Sequence, residues 1–169
     1  MEEFFFKNRK QSIHGVCFQK NDKMTNIIYI PVDYVIDGMK FINSDRIENV
    51  TGEKKEFKIK VIKFKSKNYF DDLSKTAFRD CENFQKLFTV IQSMDLLCEL
   101  SLSKEDVVYI GKVINVYDDS INIDFYDTEC KLYDNACVMY DDITSISVFT
   151  DYLDTLSEVM KEDFFTNRD

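Results

Sequence analysis

Short apolar runs divided by polar turns occupy both ends of the chain, and a helical spacing occupies the middle. Toward the C-terminus, an apolar run from Leu96 to Leu102 precedes the polar stretch Ser103-Lys104-Glu105-Asp106 and a β-rich run from Val107 to Tyr117. The turn Asp118-Asp119-Ser120, the alternating run Ile121 to Tyr126, a polar break, Ala136 to Tyr140, Asp141-Asp142 and Ile143 to Phe149 follow. Runs rich in β-branched and aromatic residues, bounded by Asp, Asn, Ser and Gly, predict strands, here five. The N-terminal part reads in the same order: Phe4 to Phe6, Ser12 to Gln19, Thr25 to Val35, Met39 to Ile42 and Ile47 to Val50, with Asn21-Asp22-Lys23 and Asp37-Gly38 as turns.

Between these parts, Tyr69, Leu73, Ala77, Cys81, Phe84, Phe88 and Ile91 step by three or four residues, which predicts one long helix with an apolar stripe. Tyr152, Leu156, Val159 and Met160 predict a terminal helix from Asp151 to near Asp163. The lysine-rich segment Lys54 to Lys67 alternates Phe57, Ile59 and Val61 with Lys58 and Lys60, then slips phase so that Ile62 and Phe64 alternate with Lys63 and Lys65. That pattern predicts a bulged strand with one apolar and one lysine face.

The two β-patterns also align residue by residue at an offset of 96, without a gap from Glu3 to Val50. Identical pairs are Glu3 and Glu99, Gly15 and Gly111, Asp22 and Asp118, Asn26 and Asn122, Ile27 and Ile123, Asp45 and Asp141, and Ile47 and Ile143. After each copy comes a Tyr-x-x-x-Leu-Ser step, at Tyr69 and at Tyr152, where the offset is 83; the 13-residue difference places an insertion near Gly52 to Phe64. The expectation is an internal duplication of a small five-stranded barrel: a mainly β, α+β chain with a first barrel at 1–66, a connecting helix at 67–95, a second barrel at 96–149 and a C-terminal helix and tail at 150–169.

The segment Tyr109-Ile110-Gly111-Lys112-Val113-Ile114-Asn115-Val116-Tyr117-Asp118-Asp119-Ser120-Ile121-Asn122 resembles the first motif of the Sm-like family of small barrels. That motif runs apolar, any, Gly, any, apolar, two of any kind, apolar, Asp, two of any kind, apolar, Asn, and Tyr117 is one residue extra. An SH3-like barrel would give a similar string. The resemblance implies a Gly where a strand bends sharply and a loop, shaped by the Asp and Asn, that meets RNA. It also implies a basic second motif, but the matching stretch here is Val138-Met139-Tyr140-Asp141-Asp142-Ile143, and the basic pair is absent.

Composition adds to this picture. At 44% apolar and 14% aromatic, with one Pro and four Gly, the 169 residues describe a folded chain rather than a disordered one. No apolar run is long enough to span a bilayer, and the start Met1-Glu2-Glu3-Phe4-Phe5-Phe6-Lys7 lacks the basic and apolar stretches of a signal peptide, so the expectation is a cytoplasmic protein. Cys17, Cys81, Cys98, Cys130 and Cys137 are widely spaced and read as free thiols of a reducing compartment; neither they nor the single His14 spell a metal site, and no cofactor is expected.

The net charge of −9 is unevenly spread: residues 1–85 hold 16 Lys+Arg and 13 Asp+Glu, whereas residues 86–169 hold 6 and 18. Nucleic-acid affinity depends on cations that neutralise phosphate, so Asp118, Asp119, Asp141 and Asp142 argue against RNA at the second copy. Tyr117, Tyr133 and Tyr140 near the loops are the expected contact residues, with those four Asp, for a protein partner, and self-association is also expected. Lys58, Lys60, Lys63 and Lys65 are the expected contacts for an acidic partner or for RNA or DNA at the first copy. The expectation is therefore a non-catalytic interaction module. Alternatives are an Sm-like RNA- or DNA-binding protein acting through the first barrel, an acidic immunity or inhibitor protein, and, last, a Mg²⁺ nuclease using Asp33 or Asp37 with Glu56 and Lys58 on one strand face.

Overall fold

The computed structural model describes residues 1–7, 12–103 and 107–162. The N-terminal half contributes β1 (Glu2–Phe6), β2 (Ile13–Lys20), β3 (Met24–Tyr29), β4 (Met39–Asn43) and β5 (Ile47–Gly52). Three helices follow, α1 (Glu56–Ser66), α2 (Leu73–Thr76) and α3 (Phe84–Ser93). The C-terminal half holds β6 (Leu97–Leu102), β7 (Val108–Val116), β8 (Ser120–Tyr126), β9 (Leu132–Met139) and β10 (Ile143–Val148), closed by α4 (Asp151–Lys161). The fold is mainly β, in an α+β arrangement, and no helix among the described residues is long and apolar enough to cross a membrane.

All ten strands lie in one antiparallel sheet, in the order β5-β1-β2-β3-β4-β10-β6-β7-β8-β9. Each half places its fifth strand beside its first, and the halves meet where β4 pairs with β10. The sheet stays open, with β5 and β9 at its two ends. The register within the first half recurs in the second. Gly15 pairs with Tyr29 and Gly111 with Phe125, Phe4 with Val50 and Leu100 with Ile146, and Met24 with Asn43 and Ser120 with Met139, each residue moved by 96. The bulges match as well, between Cys17 and Gln19 and between Val113 and Asn115.

Local chemistry explains where the strands begin and end. Asn21 accepts from the backbone N–H groups of Lys23 and Met24, closing the turn into β3. β8 alternates inward Ile121, Ile123 and Phe125 with outward residues, the period of a half-buried strand. The expected run Thr25 to Val35 stops at Tyr29 because Pro31 cannot donate to a ladder, and Asp33 takes a positive φ of 42°. β9 begins at Leu132, ahead of the expected Ala136.

Two expectations about the middle of the chain are corrected. The lysine run is helix α1, not a bulged strand: Ile62 is buried, Ile59 and Ser66 are half-buried on its side, and Phe57 and Phe64 point to solvent. The single long helix is broken into α2, a turn region and α3, with Leu73 exposed and Phe78, Cys81, Phe84, Phe88 and Ile91 buried. Asn83 makes the break by accepting from Lys86 N–H as the N-cap of α3. Lys104, Glu105, Asp106 and Asp163, parts of an expected turn and of the terminal helix, lie outside the described residues.

The larger core joins α3, through Phe84, Leu87, Phe88 and Ile91, to the inner faces of β7, β8 and β10, and extends to Met39, Phe41 and Phe78. A smaller core holds Phe4, Phe6, Ile27 and Ile42 of the first half. At about 1.5–3 kcal/mol per fully buried large apolar side chain, the four of α3 hold that helix firmly on the sheet. α4 starts at the Thr150 cap and sets Leu153 and Leu156 against Leu97.

Gly15 and Gly111 sit where neighbouring strands approach too closely for a side chain. A Cβ on Gly15 would lie 2.6 Å from both Ile27 Cδ1 and the Ile28 carbonyl oxygen, and one on Gly111 2.6 Å from Ile123 Cδ1. Gly15→Ala is expected to lower unfolding free energy in urea by about 1–3 kcal/mol, the range for overpacking. Gly52→Ala, with nothing within 4 Å of its Cβ, is expected to change it by less than about 0.5 kcal/mol, the range of ordinary surface substitutions.

Candidate functional site

At one end of the second half, the turn between β7 and β8 meets the 3-10 turn Tyr140–Asp142 that precedes β10. Tyr140 N–H donates to the Asp119 carbonyl at 2.9 Å, and Tyr140 Oη–H donates to the Tyr117 carbonyl at 2.8 Å. The Tyr140 ring stacks on Phe88, 5.8 Å between centroids at 12°, and also meets Phe84 at 5.7 Å. Helix α3 therefore fixes Tyr140, which in turn fixes the β7–β8 turn. Burial, then the charges of Asp119 and Asp118, push the Tyr140 phenol up to about 12, so it remains a donor throughout the neutral range.

Asp118, Asp119 and Asp141 are exposed around this tyrosine, and Asp142 is half-buried. Gln85 of α3 donates to Asp118 at 2.8 Å, and Ser120 Oγ donates to Asp119 at 3.0 Å. Tyr117 is about half exposed, and its hydroxyl lies 3.4 Å from Asn122 Nδ2. The chemistry on offer is a cluster of carboxylates with one exposed and one half-buried aromatic, held on rigid backbone. It is suited to binding cationic groups.

Tyr133 lies apart from this cluster. It stacks on Phe125, 6.2 Å between centroids, and with Tyr109, Leu102, Val138 and Asp142 lines a groove of about 410 Å³ along β9. Asp142 reaches both places. The alternation of β8 could have revealed the groove, since it sends Phe125 inward, but its partner Tyr109 comes from the preceding strand and is visible only once the register is known.

The lysines of α1 are partly committed within the chain. Lys58 pairs with Glu53 at 3.5 Å and Lys60 with Glu56 at 2.6 Å, while Lys65 donates to the Tyr34 carbonyl. Lys63 makes no ion pair among the described residues. Phe57 and Phe64, 71% and 82% exposed, share the outer side of this helix, a pairing the strand reading hid. The nuclease skeleton is not assembled: Glu56 and Lys58 are on a helix, where residues two apart diverge, and Asp37 accepts from Asp151 N–H at 2.7 Å at the start of α4.

His14 faces Glu3 at 3.2 Å, and Ser12 donates to the same carboxylate at 2.6 Å. Among the described residues no group of His, Cys, Asp and Glu is placed to hold a metal ion. Burial pushes the Cys81 thiol up to about 11 and raises that of Cys98 further, whereas Cys137 is exposed on β9. A thiol reagent at pH 8 is expected to label Cys137 at once, and Cys81 and Cys98 only after denaturation. Rapid native labelling of Cys98 would contradict this packing.

In comparisons with known proteins, the chain matches no family model, no curated protein and no solved structure.

Proposed function

We propose that the chain is a non-catalytic interaction protein. In this reading it consists of two tandem five-stranded Sm-like or SH3-like barrels derived from one duplicated unit, and the second presents its acidic loop edge to a basic protein segment. The observation that carries the binding reading is that exposed Asp118, Asp119 and Asp141 lie on the two turns that Tyr140 joins, Tyr140 itself being clamped by Phe88 and by two hydrogen bonds. Pre-organised side chains lose little entropy on binding, and like charges gathered on a rigid edge favour an oppositely charged ligand. The matching registers of the two halves and the close strand approaches at Gly15 and Gly111 support the duplicated Sm-like origin. Phosphate would be repelled at this edge, so RNA is not its ligand.

A labelled Lys- and Arg-rich peptide is the direct probe. It is expected to bind the unaltered protein and to weaken as salt rises. Neutralising Asp118, Asp119 and Asp141 together to Asn removes exposed pairings of ~0.2–1 kcal/mol each, for a loss of roughly tenfold in affinity. Equal binding by the triple variant would overturn this reading.

A second reading has its own observation. Lys54, Lys55, Lys60, Lys63 and Lys67 are exposed on or beside α1, interleaved with the exposed rings of Phe57 and Phe64. That mixture suits single-stranded nucleic acid, which uses cations for the backbone and rings for the bases. Single-stranded RNA is then expected to shift in a gel at low salt and to lose the shift in Lys60→Glu/Lys63→Glu. No shift with the unaltered protein would dismiss this reading.

A further inference from the structure

Helix α1 carries a second apolar stripe on its outer side. Ile59, Ile62 and Ser66 make the stripe turned toward the fold, whereas Phe57, Val61 and Phe64 recur at i, i+4 and i+7 on the opposite side. Phe57 and Phe64 are exposed, Val61 between them is half-buried, and at 3.6 residues per turn Lys60 and Lys65 flank the stripe on its two sides. The turn Val32 to Val35, closed by Val35 N–H donating to the Val32 carbonyl at 2.9 Å, stands beside it. The Tyr34 ring meets Phe57 edge-on at 6.3 Å and Lys65 donates to the Tyr34 carbonyl, which sets exposed Val32 and Val35 next to the helix.

The helix is an addition to the five-strand pattern. In the second half β10 ends at Val148 and α4 begins at Asp151, whereas α1 stands between β5 and the rest of the chain, and its one buried residue is Ile62. From Lys54 to Lys67 the sequence holds seven lysines and Glu56 as the single carboxylate, in a protein whose net charge is −9. We infer that this face docks on the surface of an anionic lipid bilayer. Phe57 and Phe64 enter the layer between headgroups and acyl chains, and the lysines lie among the anionic headgroups.

Charge and side-chain type together favour a bilayer as the occupant. The acidic second half is repelled by an anionic surface, so the chain approaches with its lysine helix foremost, and beyond a Debye length of about 10 Å the distant carboxylates are screened. Lysine stems lie along an apolar boundary while their ammonium groups stay in water, which suits lysines on both flanks of an apolar stripe. A nucleic-acid site stacks bases on rings. Val32, Val35 and Val61 offer a base no ring, whereas acyl chains accept them as readily as Phe57 and Phe64. A helix lying in the plane of the surface needs no spanning run, and no described helix has one.

The acidic loop edge belongs to the other half, and its Asp variants leave α1 untouched, so the two claims fail separately. The chain has no tryptophan, so Phe64→Trp places a single reporter on the stripe, at a side chain 82% exposed. With vesicles of phosphatidylcholine and phosphatidylserine its emission is expected to move to shorter wavelength, and to be quenched when the acyl chains are brominated. Phosphatidylcholine vesicles alone are expected to leave it unchanged, as is either vesicle for Leu132→Trp, exposed on β9. In sedimentation with the mixed vesicles, Lys60→Glu/Lys63→Glu is expected to bind at least tenfold more weakly than the unaltered chain, each lysine near such a surface being worth about fivefold. Phe57→Ser/Phe64→Ser is expected to lose at least tenfold as well, with its midpoint of urea unfolding unchanged because both rings are exposed. Unchanged emission of Phe64→Trp with the mixed vesicles, binding without quenching, or equal binding to phosphatidylcholine alone would overturn the inference. A chain that shifts single-stranded RNA and leaves the mixed vesicles unbound would also overturn it, and would return these lysines to the nucleic-acid reading.

Discussion

The ladder between β4 and β10 is the constraint on which the rest of the fold depends. It turns two five-stranded halves, one with a small core, into a single ten-stranded sheet, and it buries both strands completely. Burial on this scale leaves polar groups needing partners, and the junction supplies them. Lys40 pairs with Glu99 at 3.7 Å and lies 4.4 Å above the Tyr29 ring, while Ser147 donates to the same Glu99 at 3.1 Å. Asn43 donates to the Ile143 carbonyl at 3.1 Å, and the Arg46 guanidinium reaches the Asp141 carbonyl. A buried cation without its carboxylate would be costly, so these contacts also penalise any other register at the junction.

The junction links fold to surface. Met39 and Phe41, which point away from the small core of the first half, enter the larger core together with Phe78, so the helical connection is packed against both halves. α3 then holds Tyr140 through Phe88, and Tyr140 holds the turn that carries Asp118 and Asp119. The acidic edge inherits its rigidity from the same core that the junction completes.

Strands were legible in the sequence because their signals are local: alternation in β8, Asn and Asp at turns, Gly15 and Gly111 at matching places. The helices were less so. Lys58 to Lys65 alternates like a strand, but the chain has just left an end strand, and its one buried residue, Ile62, is satisfied by a single helical turn. The stripe from Tyr69 to Ile91 keeps a helical period across a real break at Asn83, because turn residues such as Phe78 and Cys81 are buried as deeply as helical ones. Periodicity records burial, and burial here does not require a continuous helix.

The acidic edge could be read from Asp pairs in turns, and the isolation of Tyr133 from it could not, since that depends on which strand neighbours which. Likewise, nothing in the sequence shows that β4 pairs onward to β10 rather than back to β5. That choice is tested most directly by cross-strand proton contacts in solution, measured by NMR. The account expects contacts of Phe41 with Ile146 and of Lys40 with Ser147, as in the observed ladder. Contacts of β4 with β5 in their place, closing the first half on itself, would contradict it.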